Sequence, residues 1–224
     1  MHIEPGLVTG AKLALGAVTA SGAAVVAAKL VWEDLRDRGP ILLALRAAVA
    51  TLATLIFFEV LPHVTAGVSE VHLILGSTLL LMLGTAPAAI GLALGLLLQG
   101  TLMAPTDLPQ YAMNVTTLLV PLLALHHVAR RVVAPGTPYV DLAYGQALKL
   151  SATYQAGIVG WVAFWAVWGQ GMGVETLASV GTFAAAYATV LLVEPLVDLA
   201  VLAGAKALRG RDAGLLNARV YTAA

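Results

Sequence analysis

No cysteine occurs in the 224 residues. Disulfides and thiolate metal sites are therefore excluded, and a metal would have to be held by imidazole, backbone nitrogen, carboxylate or Met sulfur. Charge is scarce: 11% of residues are charged, against roughly 25% in soluble domains. The formal net charge is zero, so no overall basic excess points to a nucleic acid partner. There is no G-x-x-x-x-G-K-S/T loop, no G-x-S-x-G and no H-E-x-x-H, so the chain does not bind ATP through a P-loop. The start of the chain also lacks the basic n-region of a signal peptide, with Lys12 the only base nearby.

What is present is apolar sequence, 60% of the chain. A hydrocarbon core of ~30 Å needs about 20 helical residues to cross it. The runs predict one transmembrane domain over residues 1–224, with a short tip at 1–6. Seven spans follow, at about 7–31, 41–61, 71–84, 87–103, 111–129, 147–168 and 174–208. The expected fold is an all-α, seven-span integral membrane bundle in a lipid bilayer, without a soluble domain.

Charge position sets the orientation. With the N-terminus outside, the inner loops and C-terminal tail collect Lys29, Arg36, Arg38, Arg46, Arg130, Arg131, Lys149, Lys206, Arg209, Arg211 and Arg219, leaving Lys12 alone outside. The positive-inside rule then predicts an outer N-terminus and a cytoplasmic C-terminus. Trp161, Trp165 and Trp168 are expected as anchors at the outer end of the sixth span, and Trp32 at the inner end of the first.

Val71 to Met103 must supply the third span, a turn at Gly84-Thr85-Ala86-Pro87 and the fourth span. That is too little chain for two full crossings at ~1.5 Å per residue. A helix is expected to begin below the membrane surface near His72. Such a recess is tolerated only where protein covers the exposed backbone or a cavity hydrates it. The first six residues lie on the same side and can reach down as the cover.

Those residues, Met1-His2-Ile3-Glu4-Pro5-Gly6, also have coordinating chemistry. A free α-amine, the amide nitrogen of residue 2 and the His2 imidazole close two adjacent rings on one divalent metal. A planar set of nitrogens suits Ni²⁺ or Cu²⁺ better than tetrahedral Zn²⁺, and Co²⁺ deprotonates the amide less readily. His2 is either this chelator or a chance residue at a terminus. His72 is either a further ligand or an interfacial imidazole bonded to a loop carbonyl. His63 stands at the end of the second span as an auxiliary candidate. Glu4, Glu70 and Asn114 are candidates to orient a ligand or offset charge. His126 and His127 fall at the opposite, inner end. Glu194 and Asp198, one turn apart inside the seventh span, are intramembrane carboxylates and so mark a functional candidate of their own. Glu194 precedes Pro195 and could equally satisfy backbone freed at a kink. Gly16, Ala20, Ala24 and Ala28 form a small-residue face, for packing within the bundle or for docking a partner.

Three landmarks together resemble one family. They are the start Met1-His2-Ile3 with Gly6, the segment Val71-His72-Leu73 followed by two short helices and Leu98-Gln99, and Ala112-Met113-Asn114-Val115 after an outer loop. They resemble CbiM/NikM, the membrane-embedded substrate-capturing component of energy-coupling-factor transporters for cobalt and nickel. The resemblance implies that Met1 (amine), His2 (amide and imidazole) and His72 hold Ni²⁺ or Co²⁺ as cargo, with no catalytic residue and no cofactor. It implies a prokaryotic cell (inner) membrane, a transmembrane coupling subunit and cytoplasmic ATPase subunits, and admits a small accessory membrane subunit. Here Pro5 stands where the family carries an acid, Glu70 where it carries a small hydroxyl residue, and Thr117 where it carries a second Asn. The rival expectations are a secondary transporter or channel, or an intramembrane enzyme, using Glu194 and Asp198.

Overall fold

The computed structural model describes residues 3–208 and Val220. Met1 and His2 lie outside the described residues, as do Arg209, Arg211 and Arg219 of the C-terminal tail. After a 3-10 turn at Gly10–Leu13 come α1 (Ala14–Arg38) and α2 (Pro40–Leu55), the latter running into a π-helical turn at Ile56–Val60. A hairpin follows, β1 (Val64–Ala66) and β2 (Ser69–Val71). Then come α3 (Gly76–Leu83), α4 (Thr85–Leu102), a 3-10 turn at Pro105–Gln110, α5 (Tyr111–Val132), a 3-10 turn at Tyr139–Asp141, α6 (Tyr144–Gln170) and α7 (Val174–Ala207).

Six helical segments among the described residues are long and apolar enough to cross a membrane: Gly10–Arg38, Pro40–Val60, Thr85–Leu102, Pro105–Val132, Tyr144–Gln170 and Val174–Ala207. The segment expected as the third span differs. Residues 72–75 are not helical, and α3 has only eight residues. The all-α expectation also needs correction, because 64–71 form a two-stranded antiparallel hairpin with Thr65 opposite Glu70. At the first boundary, Leu7 and Val8 are buried in loop backbone. The helix instead continues to Arg38, past the span end expected at about residue 31.

Local chemistry explains these choices. Gly39 at φ 80° and Pro40 at the first helical position separate α1 from α2. Extending α1 to Arg38 brings Asp34 to Arg46, whose Nη2 lies 2.6 Å from Asp34 Oδ2 while Nη1 donates to the Leu83 carbonyl at 2.8 Å. This puts the end of α3 level with the α1–α2 turn. α4 packs alongside α2, and glycine is what permits it: a Cβ on Gly91 would fall 2.2 Å from the Ala50 Cβ.

The α3 start is the unusual backbone. Leu75 is the one described non-glycine residue with positive φ, at 53°, a left-handed conformation that is uncommon for a γ-branched side chain. Glu194 on α7 holds it there. Its carboxylate accepts from the Ile74 and Leu75 N–H groups at 2.7 and 2.8 Å and from the Gln155 side chain. One turn on, Asp198 accepts from the Ser77 hydroxyl at 2.7 Å and from the Thr78 hydroxyl. The two carboxylates therefore serve the recessed start of α3, and Glu194 is not spent on a kink at Pro195.

The aromatic anchors are corrected in one place. Trp165 is fully buried in the core. Trp161 donates to Thr116 Oγ1 and Trp168 donates to the Lys12 carbonyl. A stripe at helical spacing reads the same whether it faces lipid or a neighbouring helix. On α1, Gly16 is buried against Met113 and Ala20 is partly buried, whereas Ala24 and Ala28 are exposed.

Candidate functional site

One end of the bundle gathers residues 3–12, the 61–75 connection, the 104–114 segment and the 168–173 turn. The N-terminal segment joins β2 as a third, one-residue strand: Ile3 bridges Ser69 in antiparallel register, and the Glu4 N–H donates to the Val68 carbonyl at 3.2 Å. The Ile3 N–H donates to Asn114 Oδ1 at 2.9 Å. Ile3 is fully buried and Asn114 is 1% exposed. Behind them, the Leu7 carbonyl lies so near Gly169 that a Cβ there would fall 2.1 Å from it, and Lys12 donates to the Gly169 carbonyl at 2.8 Å. Sequence-distant groups thus fix the register of the tip from Ile3 onward.

His72 sits in the recess below, 1% exposed. Glu70 and His72 are two apart on extended backbone, so their side chains share a face. His72 Nε2 lies 2.9 Å from Glu70 Oε2. The His63 ring stacks on His72 with centroids 4.9 Å apart and planes 19° apart, and Phe58 packs against it at 5.1 Å. Burial first, and then neighbouring charge including His63, holds the His72 pKa far below its ordinary value. The Glu70 carboxylate beside Nε2 does not offset that burial. The ring is neutral at pH 7. With Nε2–H donating to Glu70, its lone pair is on Nδ1, the arrangement that metal-ligating imidazoles use.

The rim is acidic. Burial, and after it the Glu70 and Asp107 carboxylates, raise the pKa of Glu4. Asp107 was not among the residues singled out from sequence; its signal was being the one charged side chain in the 104–110 loop. Glu59, on the π-helical turn beside Phe58, accepts from Gln99 Nε2 at 2.5 Å. His126 and His127 are at the other end, with His126 Nδ1 2.8 Å from Thr85 Oγ1. Among the described residues no group of three His, Cys, Asp or Glu side chains is placed to hold a metal ion.

A pH prediction follows from His72. The unfolded imidazole titrates at about 6.5, and the folded one far lower. The unfolded chain therefore binds the extra proton, and this contribution to stability is present above about pH 6.5 and lost as pH falls below it. Glu4, whose folded pKa is raised, contributes with the opposite sign as pH rises above the ordinary carboxylate range. The difference between wild type and His72→Asn isolates the imidazole. The wild-type melting temperature should fall more steeply between pH 7 and pH 5 than that of the variant; equal slopes would contradict a buried neutral ring.

The fold is that of a multi-pass helical membrane protein whose N-terminal segment, from Ile3, packs beside a buried imidazole. The chain belongs to the family CbiM, the cobalt uptake substrate-specific transmembrane region, whose family model matches residues 2–211. It is accordingly a transmembrane component of cobalt uptake. Searches of curated proteins and of solved structures returned no match.

Proposed function

We propose that this protein captures Ni²⁺ or Co²⁺ on the outer face of a prokaryotic cell membrane, as the substrate-binding component of an energy-coupling-factor importer. It does no chemistry on its cargo. The amine of Met1, the amide and imidazole of His2, and the His72 imidazole are the ligands; Glu70 orients His72, and His63, Glu4 and Asn114 support the site. A separate transmembrane coupling subunit and cytoplasmic ATPases supply the work.

The observation that carries this reading is the anchoring of Ile3 to Ser69 and Asn114, above a buried neutral His72. Consecutive Cα atoms are ~3.8 Å apart, so pinning Ile3 limits how far His2 can stray from the recess. The acidic rim of Glu4, Glu70 and Asp107 favours approach of a divalent cation. Among the described residues Arg38, Arg46, Arg130 and Lys206 lie at the opposite end of the bundle and Lys12 at the tip end, a balance that supports an outer N-terminus. Glu194 and Asp198 are occupied with the start of α3, which weighs against the channel and enzyme alternatives.

Asn114 tests the anchoring separately from the ligands. Asn114→Leu leaves the buried Ile3 N–H without its acceptor, a loss of about 1–3 kcal/mol. Isothermal titration with Ni²⁺ and Co²⁺ should show affinity reduced by about tenfold or more, with Asn114→Asp closer to wild type. Unaltered affinity in the leucine variant would remove the tip from the binding site.

A further inference from the structure

We propose that the end of the bundle opposite the tip carries a phosphate-binding site. A cavity of about 360 Å³ opens there between the α1–α2 turn, α3, the start of α4, the end of α5 and the 133–142 connection. That is within the range of about 300–1,000 Å³ for small-molecule sites. Its polar lining is Arg38, Arg130, His126, Thr85, Thr137 and Tyr139, and the lining contains no carboxylate.

The charge is not cancelled from behind. Among the described residues Arg38 pairs with Asp34, at 3.4 Å, which also binds Arg46 at 2.6 Å, so one carboxylate faces two guanidinium groups. Arg130 is exposed at the cavity mouth and makes no ion pair with a described residue. Thr85 and Tyr139 are buried, and the Thr85 hydroxyl is tied to His126 Nδ1 at 2.8 Å. Two guanidinium groups beside the Thr137 hydroxyl match the acceptor oxygens of a phosphate, to which arginine can bond in bidentate fashion. The other cavities large enough to hold a ligand differ. Those along α2–α4 and α1–α4 are lined almost wholly by apolar side chains, and the one beside His72 belongs to the metal site.

A phosphate at this position has two sources, the headgroup of an anionic phospholipid or a soluble phosphate. Basic pockets between membrane helices characteristically take headgroups. The site is independent of metal capture and does not rest on it.

The test uses the delipidated full chain in a neutral detergent, titrated with phosphatidylglycerol, with phosphatidylcholine and with inorganic phosphate. Thermal unfolding and native mass spectrometry provide the readouts. Phosphatidylglycerol should raise the unfolding midpoint and remain bound, and phosphatidylcholine should not. Arg130→Ala should weaken that binding by about tenfold or more, whereas Arg131→Ala, off the cavity lining, should not change it. Ni²⁺ binding should be intact in both variants. If inorganic phosphate alone gives the Arg130-dependent shift, the site stands and its ligand is soluble. Binding that survives in both Arg130→Ala and Arg130→Gln, or no binding of either phosphate source, overturns the proposal.

Discussion

Two alanines placed ahead of Met1 should reduce Ni²⁺ and Co²⁺ binding to background while the protein still folds and inserts. The amine and the residue-2 amide form a chelate ring only when they belong to adjacent residues at the terminus. Two inserted residues replace the amine with an ordinary amide and shift the imidazole to the fourth position, whereas a single one would leave an amine, two amides and an imidazole at the third position, which again close planar chelate rings. From Ile3 onward, the contacts with Ser69, Val68, Asn114 and Gly169 are unchanged by that insertion. His72→Ala should be equally damaging, because it removes the buried neutral imidazole, and His127→Ala should be silent. The measurement is equilibrium metal binding by the purified protein, with unfolding midpoints recorded in parallel. Retained affinity in the extended chain would sink the terminal-chelate reading.

The second large effect is expected at Glu194. Glu194→Ala leaves the buried Ile74 and Leu75 N–H groups without an acceptor. At about 1–3 kcal/mol for each buried donor, the loss is about 2–6 kcal/mol. The left-handed Leu75 also loses what holds it, and such conformations persist only when their surroundings enforce them. Glu194→Gln keeps one acceptor oxygen and should lose roughly half as much. Denaturant titration in detergent reads both. Metal affinity should decline in the same order, because residues 72–75 carry His72. If Glu194 instead served an ion path, the glutamine variant would abolish transport at undiminished stability.

Much of this was legible in the sequence for simple reasons. Counting residues from Val71 to Met103 exposed a shortage of helix, and α3 is indeed brief. Apolar runs located the long helices to within a few residues, except α1, which starts and ends seven residues later than expected. The hairpin at 64–71 was not legible, since three-residue strands have no periodicity to detect. Trp165 was misplaced because helical spacing does not say which partner a face meets. Glu194 and Asp198 were picked out as costly intramembrane acids. Their partners, the backbone and hydroxyl groups at the start of α3, lie about 120 positions earlier in the chain, and no local pattern encodes that pairing. Of the rim, Glu4 and Glu70 were visible and Asp107 was not, because one acid in a Pro-flanked loop looks like any solvated charge.

The strand-like docking of the tip has a consequence for biogenesis. As the chain is synthesised, residues 3–12 acquire their partners in installments: Ser69, then Asn114, and last Gly169. The last of these partners is made 157 residues after Lys12, so the segment stays incompletely anchored until then. Closure of the site is therefore a late event that reports completion of the bundle. A chain halted before α6 would hold the partners of Ile3 at Ser69 and Asn114 but lack the Gly169 contact of Lys12.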